Sequence, residues 1–340
     1  MERRKIGSAW NTARQQYSIF MVLAFLFVIC SRANPNFLSI ANISNISRQL
    51  SVTTILAFGE TILIIGGMLD LSAGSVIALS GVLAVASFKG AVAASVPVWG
   101  ALILSFAAGV ATGVACNIVN AMMITNFKVP PFIATLAMQT MARGAALLYT
   151  KGQNLLRLGD FVVFGQGSIA SVPTPIIFMV CIFIVTWYTL RHTRFGRSIY
   201  AIGGNEEAAV ASGIAVGRVK YKAFLFNGIL VGIAGVLFMS RVNAGLPNGA
   251  INFEFQALTA AIIGGTSFSG GIGTAAGTLA GAFIVGFLDN IMNLTGVDSY
   301  VQQIVRGAII ALAVIYDIWA KGRRRTRSSL GDIDKKGVTA

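Results

Sequence analysis

The sequence has few charged residues. Only 11% of its 340 residues are charged and 55% are hydrophobic, whereas about 25% of an average soluble domain is charged. A soluble globular fold cannot be built from that balance, and fibrous and disordered chains are excluded with it. About 20 apolar residues cross a bilayer as a helix, so ten such segments would use roughly 200 residues. The composition therefore favours a polytopic membrane protein.

Reactive side chains are also scarce. His192 is the single histidine, which removes most serine–histidine, cysteine–histidine and zinc–histidine chemistry. Cys30, Cys116 and Cys181 lie inside apolar runs, so they indicate neither a disulfide framework nor a metal site. The sequence contains no G-x-x-x-x-G-K-[ST] motif, so the chain should not hydrolyse ATP through a P-loop. We expect a non-catalytic chain that binds no metal or cofactor itself.

Apolar runs interrupted by charged residues, glycine or proline predict an all-α membrane protein with about ten transmembrane helices. The eighth run is short because five glycines between positions 264 and 273 interrupt it, and we expect a broken helix there. The approximate limits of the ten runs are 17–32, 49–66, 72–88, 97–124, 131–150, 174–191, 221–243, 255–265, 274–293 and 299–320.

Basic residues predict the orientation and account for the net charge of +14. With the N-terminus in the cytoplasm, 18 Lys and Arg residues fall in inside segments and 6 in outside segments. Both termini are therefore predicted to be cytoplasmic. This divides the chain into a cytoplasmic segment (1–16), one transmembrane domain (17–320) and a basic, disordered cytoplasmic tail (321–340). Since the basic residues mark topology, we expect no nucleic-acid partner.

Residues 192–220 form the longest hydrophilic connection and include signals for a short helix. Asn205 can cap a helix N-terminus, and Glu206 and Glu207 suit its positive end. Ala208 and the alanines after it favour helix, and Gly213 can end it. The pattern predicts a capped helix outside the membrane, suited to docking another protein.

Six ionisable residues lie within or at the edges of apolar runs, where each costs about 2.5–3.5 kcal/mol at a helix centre on insertion scales. Glu60 is near the middle of the second run and has three interpretations: it lines a pathway, accepts a proton, or pairs with an arginine such as Arg143. Asp70 is predicted to cap the third helix. The others are Asp289, Arg306 and Asp317.

Small and amide residues indicate helix contacts. GxxxG spacings allow close approach of helices, and the polar residues Gln139, Asp289 and Asn290 are predicted to face the bundle or an aqueous path rather than lipid. The spacings occur at Gly109/Gly113, Gly228/Gly232 and Gly277/Gly281.

Several strings together resemble one known family. They are GMLDLSAGS at 67–75, PFIATLAMQ at 131–139, FGRSIYAIGGN at 195–205 and IGGTSFSGG at 263–271. The chain resembles the permease subunits of ribose-type ABC sugar importers over essentially its whole length. The residues that carry the family motifs are Asp70, Ser72, Gly74, Gly264, Gly265 and Gly270.

The resemblance implies a type II-like importer permease in the bacterial cytoplasmic (inner) membrane. Its implied partners are a cytoplasmic ABC ATPase that uses ATP and Mg²⁺, an extracytoplasmic sugar-binding protein, and a second permease copy or paralogue. The loop at 205–214 would be the coupling helix that contacts the ATPase, through Asn205, Glu206, Glu207, Ala208, Ala209, Ser212 and Gly213.

The expected function is translocation of a monosaccharide or related sugar or polyol by alternating access. A neutral sugar needs amide and hydroxyl groups beside apolar surface, and the candidate lining residues are Glu60, Asn120, Gln139, Asn227 and Thr259. Met68, Leu69 and Ala73 depart from the usual family motif and leave the sugar open. The alternative is an ion- or proton-coupled transporter or channel that uses Glu60.

Overall fold

The computed structural model describes residues 19–312 and 314–315. The predicted segment 1–16, the basic tail 321–340 and Asp317 lie outside the described residues. The α-helices are α1 (Ile19–Ala33), α2 (Ile40–Ile65), α3 (Ala73–Ala93), α4 (Val98–Thr125), α5 (Pro131–Thr150), α6 (Val163–Gln166), α7 (Thr174–His192), α8 (Arg194–Gly204), α9 (Glu206–Ala211), α10 (Val216–Val242), α11 (Phe253–Ile263), α12 (Ala275–Leu294) and α13 (299–312, continuing at 314–315).

Short elements connect some of the long helices. Two 3₁₀ turns occupy Pro35–Leu38 and Gly159–Val162. A two-residue antiparallel hairpin, β1 (Ser168–Ile169) with β2 (Val172–Pro173), precedes α7. The described chain is otherwise helices and their connections, as the composition predicts.

Each of the ten predicted apolar runs overlaps a helix. Within the described residues, six helices are both long and apolar enough to cross a membrane: α2, α3, α4, α7, α10 and α12. These helices support the prediction of a polytopic, all-α membrane protein. The count of ten spans and the cytoplasmic placement of both termini remain predictions.

Two helices begin earlier than their apolar runs. The Ser39 hydroxyl accepts a bond from the backbone N–H of Asn42 at 3.2 Å and caps α2 at Ile40, far before the predicted start near 49. Arg48 therefore lies inside α2 rather than in a connection. α10 similarly begins at Val216 rather than 221. Hydrophobicity marks the membrane core of a helix, whereas capping sets where it begins.

The core forms around α2 and α10. In their most apolar stretches, 89% of α2 and 78% of α10 are buried, against 22% of α4 and 28% of α7. The first two are therefore central helices, and the last two present most of their apolar surface outward. A helix that is apolar on every side and covered by protein is the expected centre of a membrane bundle.

A close helix crossing joins two of the predicted GxxxG pairs. Gly109 and Gly113 on α4 face Gly228 and Gly232 on α10, and a Cβ on Gly113 would lie only 2.7 Å from the backbone nitrogen of Gly232. Glycine at these positions lets the two backbones touch. The GxxxG prediction is therefore confirmed here.

The predicted break after the eighth run is also present. α11 ends at Ile263, and Gly265 then has φ +84°, a left-handed conformation that favours glycine. The chain returns as α12, whose Gly277 and Gly281 pack against Gly264 and Ala260. The third GxxxG pair thus closes the α11–α12 crossing.

Candidate functional site

The capped helix α9 forms where the sequence predicts it. The Asn205 side chain accepts a hydrogen bond from the backbone N–H of Ala208 at 2.9 Å, and Glu206 and Glu207 occupy the first turn. Gly213, at φ +80°, follows the helix, and the Ile214 N–H closes the end on the Ala209 carbonyl at 3.0 Å. α9 is therefore a short element with both ends fixed by its own residues.

Most of α9 is exposed, and one face anchors it. Ala209 is buried, whereas Glu207, Ala208 and Ser212 are exposed and the Val210 side chain is 58% exposed. Glu206 differs from Glu207 because its carboxylate forms an ion pair with Lys220 of α10 at 2.8 Å. α9 thus presents an apolar and acidic surface while one acid holds it to the bundle.

The helix before α9 is packed against the end of α2. A Cβ on Gly203 would collide with the carbonyl oxygen of Ile65 and lie 2.6 Å from the backbone nitrogen of Gly271. Gly271 N–H donates to the same Ile65 carbonyl at 2.8 Å. Tyr200 adds a bond from its hydroxyl to the Gly273 carbonyl at 2.7 Å, and burial raises the pKa of this phenol.

We call this contact the α8 junction, defined by Ile65, Tyr200, Gly203 and the loop 270–273. It joins the helix that leads into α9 with the ends of α2 and the α11–α12 connection. Two of the resembling strings, at 195–205 and 263–271, therefore meet in space. A displacement of α9 would act on the helix bundle through this contact.

Asp70 is the centre of a buried polar network. Its side chain accepts bonds from the backbone N–H and the hydroxyl of Ser72 and from the amide of Asn227, the last at 2.8 Å. The Asn227 amide also reaches Asn117 at 3.0 Å, and the Asn120 amide donates to the Ser72 hydroxyl at 3.1 Å. The network joins α4 and α10 to the chain between α2 and α3.

The prediction that Asp70 caps α3 is wrong. The N-cap residue is Ser72, which makes no side-chain capping bond, and Asp70 lies two residues earlier in the connection. Its side chain is fully buried and its second carboxylate oxygen is bonded to α10. An amide donor from a neighbouring helix, which sequence position does not reveal, gives Asp70 an interhelical role.

Glu60 does not pair with Arg143 within the described residues. One Glu60 carboxylate oxygen accepts the backbone N–H of Asp70 at 3.3 Å, and the side chain is completely buried. Arg143 instead donates to the carbonyls of Pro247 and Gly249, at 2.7 and 2.8 Å. The pairing interpretation of Glu60 with Arg143 is therefore wrong, because backbone carbonyls satisfy the arginine.

Glu254 is a buried acid that the sequence analysis did not select. It lies in the first turn of α11, is 2% exposed, and accepts a bond from the Gln139 amide at 3.3 Å. A Cβ on Gly74 would collide with its carboxylate, so the glycine of the 67–75 string makes room for Glu254. The signal that could have found it is an acid immediately before the short eighth run, where it suits the start of a helix.

The other acid–base pair lies between the last two helices. The Arg306 Nε donates to an Asp289 oxygen at 2.8 Å, which places both predicted charges in one ion pair. The neighbouring amides of Asn290 and Asn42 exchange hydrogen bonds at 2.9 and 3.1 Å. These residues face protein, as predicted for Asp289 and Asn290.

The five candidate pathway residues occupy three different places. Glu60, Asn120 and Asn227 belong to the sealed network, and Gln139 is bonded to Glu254. Thr259 lines a cavity of about 180 Å³ between α11, α12 and α13. The structure therefore does not bring the five together around one space. We call the space beside Thr259 the α11–α13 cavity.

Comparison with known proteins gives a consistent result. Residues 42–314 match the family model described as branched-chain amino acid transport system / permease component. The ribose import permease protein RbsC of Escherichia coli K12 is 41% identical over 93% of this chain and 96% of its own length. RbsC of Bacillus subtilis 168 is 41% identical over 89% of this chain and 92% of its own length. The L-arabinose transport system permease protein AraH of E. coli K12 is 34% identical over 94% of both chains.

Proposed function

The chain belongs to the family of branched-chain amino acid transport system permease components, and we propose that it is the membrane permease subunit of an ATP-driven importer of a monosaccharide or related sugar. The family description mentions amino acids, but the relatives that match at 34–41% identity over most of the chain are permeases for ribose and arabinose. The chain is a non-catalytic part of its transport system.

The observation that carries this function is the exposed, capped helix α9 above the α8 junction. A chain without a P-loop needs an external source of energy, and α9 offers a rigid surface for a separate ATPase that uses ATP and Mg²⁺. Closure of the ATPase on ATP would move α9, and the α8 junction would carry that movement to α2 and the α11–α12 connection.

The remaining parts of the complex follow from the importer class. We infer a binding protein that delivers sugar from outside, and a second permease, either this chain or a paralogue, across the translocation path. The site of action is the bacterial cytoplasmic membrane. The exact sugar within the monosaccharide and polyol class is left to measurement.

Coupling to an ion or proton gradient through Glu60 is less well supported. Glu60 is fully buried and accepts a hydrogen bond from the backbone of Asp70, so it serves an internal contact. The proton-coupled alternative also leaves the exposed helix α9 without a role. ATP-driven import explains both features.

Replacing Glu207 with lysine tests the docking role of α9. Glu207 is exposed at the positive end of the helix, so Glu207→Lys opposes the helix dipole and reverses the charge of the proposed contact. We expect recovery of the ATPase with the purified permease to fall about two- to tenfold, equivalent to roughly 0.4–1.4 kcal/mol. Affinity purification in mild detergent with quantification of the ATPase measures it.

The control is Asp160→Lys. Asp160 is an exposed acid in the first turn of the 3₁₀ turn Gly159–Val162, away from α9, and the substitution makes the same charge change. ATPase recovery with this variant should match the wild type. Glu207 is the residue to replace rather than Glu206, because Glu206 also forms the ion pair with Lys220. Equal recovery of the ATPase with Glu207→Lys and wild type would refute the docking role.

A further inference from the structure

The α11–α13 cavity lies beside the first turns of α11 and the second half of α12, away from the connection that contacts α8. Asn252, Phe255, Gln256 and Thr259 come from the connection and first turns at the start of α11, and Asp289 comes from the last turns of α12. The opposite ends of the same two helices meet the α8 junction. Since α12 has 20 residues, it is about 30 Å long. The cavity and the α9 surface are thus separated along the bundle.

Three side-chain amides at the cavity, of the exposed residues Asn252 and Gln303 and the half-buried Gln256, have no partner among the described residues. Within the described part of the chain, the amides of Asn252, Gln256 and Gln303 form no hydrogen bond with another protein group. Asn252 precedes α11 but does not cap it through its side chain. Each amide offers both donor and acceptor atoms, which is what a sugar hydroxyl requires.

The charges in the cavity cancel. Arg306 and Asp289 form one ion pair through a single bond, from Nε to one carboxylate oxygen. Both residues line the cavity, and the described lining includes no further charged residue. A neutral polyhydroxylated solute fits this arrangement, whereas a cation or an anion would find no excess charge of opposite sign.

Apolar surface completes the site. Phe255, with 40% of its surface exposed, lines the cavity together with Val285 and Leu288. A ring and aliphatic side chains can cover the C–H face of a sugar, while a few polar groups fix its hydroxyls. The volume of about 180 Å³ far exceeds the roughly 10–15 Å³ that one water needs. The space therefore admits a small solute.

We propose that the α11–α13 cavity is a sugar-binding site of the translocation path, in which Asn252, Gln256 and Gln303 bind hydroxyl groups beside the Asp289–Arg306 pair. This inference rests on the proposed function. The sugar would enter at the end remote from α9 and contact the amides before passing along the bundle. The amides are positioned by α11 and α13, so movement of these helices would change the site during the transport cycle.

The experiment uses the whole complex of permease, ATPase and binding protein in proteoliposomes. The variants Gln256→Leu and Gln303→Leu keep side-chain bulk and remove the amide, and the probe is radiolabelled D-ribose or L-arabinose, whichever the wild type imports. We expect sugar transported per ATP hydrolysed to fall about tenfold in each variant. Stimulation of ATP hydrolysis by the loaded binding protein should remain at the wild-type level, because α9 and the α8 junction are untouched.

Gln153→Leu is the matched control, since Gln153 is exposed and outside the cavity. It should transport sugar with the wild-type ratio. A wild-type ratio in both cavity variants would overturn the assignment. So would equal loss of transport, ATP hydrolysis and permease pairing, which would make the amides structural. A wild-type complex that moves neither sugar, nor any other monosaccharide or polyol of a test panel, with ATP would instead overturn the proposed sugar-import function.

Discussion

Asp70 shows how a membrane bundle can contain a charged side chain. Three donors surround its carboxylate, one each from the backbone and side chain of Ser72 and one from Asn227. Intramembrane carboxylates that face the bundle and are bonded in this way are tolerated, whereas unpaired ones are costly. These hydrogen bonds hold the helices in register, because the polar atoms would find few other hydrogen-bond partners in lipid.

Replacing Asn227 with alanine should destabilise the protein. The substitution removes the donor to the second oxygen of Asp70 and leaves that buried oxygen without a partner. Leaving a buried polar group unpaired costs about 1–3 kcal/mol, and more for a charged group. We expect a lower thermal unfolding midpoint for purified Asn227→Ala in detergent.

Asn154→Ala is the control for this prediction, because Asn154 is exposed and lies in a connection. Its unfolding midpoint should equal that of the wild type. If Asn227→Ala unfolds at the same temperature as Asn154→Ala, the network contributes no net stability and Asp70 is satisfied in another way.

At the scale of helices, glycine determines which elements can touch. The α4–α10 crossing needs glycine on both partners, and the α8 junction needs it at Gly203 and Gly271. The two glycines at 203 and 204 are adjacent in sequence but have different surroundings. A Cβ on Gly203 would collide with the Ile65 carbonyl, whereas a Cβ on Gly204 would have no atom within 4 Å.

This difference predicts opposite results for two neighbouring substitutions. Gly203→Ala forces α8 away from the end of α2, and overpacking of this kind costs about 1–3 kcal/mol. Gly204→Ala restricts the unfolded chain without a clash and should be neutral, or stabilising by about 0.4–1 kcal/mol. We expect Gly203→Ala to lower the unfolding midpoint and to reduce sugar transported per ATP.

Both variants make the same chemical change in the same helix, so the difference between them isolates the clash at Ile65. ATP hydrolysis by the Gly203→Ala complex should continue because the exposed surface of α9 is unchanged. Indistinguishable stability and coupling in the two variants would mean that the α8 junction is loose and does not carry the motion.

The sequence predicted elements better than it predicted contacts. The ten apolar runs, the break after α11 and the cap at Asn205 depend on local hydrophobicity and local hydrogen bonding, which neighbouring residues determine. The amide of Asn227 that donates to Asp70 and the carbonyls of Pro247 and Gly249 that accept from Arg143 are far away in the chain. Local patterns do not indicate such partners, and the interpretation that Glu60 pairs with Arg143 is wrong. Of the candidate lining residues, only Thr259 lies at the cavity, because periodicity does not tell which helix face meets which neighbour.

At the scale of the whole molecule, the proposed ATPase-docking surface and the proposed sugar site lie at different levels along one bundle. The α8 junction lies at the connection between α11 and α12, and the α11–α13 cavity lies beside the first turns of α11 and the second half of α12. α11 and α12 contribute to both, since their connection contacts α8 while their far ends line the cavity. A rigid movement of this helix pair would couple the two ends without a chain of small side-chain changes.

This arrangement makes the orientation in the membrane testable. If basic residues mark the cytoplasmic side, a cysteine at Val210 on α9 should react with a membrane-impermeant maleimide only from the cytoplasmic side. A cysteine at Asn154 should react only from outside. Val210 and Asn154 are both exposed, so accessibility does not limit either reaction.

The native cysteines determine the background of this measurement. Cys30 is buried and Cys116 is partly buried, whereas Cys181 is exposed on α7. Val210→Cys and Asn154→Cys should therefore each be combined with Cys181→Ser. Inside-out vesicles should label Val210→Cys, and intact spheroplasts should label Asn154→Cys. The reverse pattern would place α9 outside, where no ATP-driven partner could reach it, and would contradict both the predicted orientation and the coupling role of α9. Labelling of both sites from one side would contradict the predicted placement of α9 and of the connection after α5 on opposite sides of the membrane.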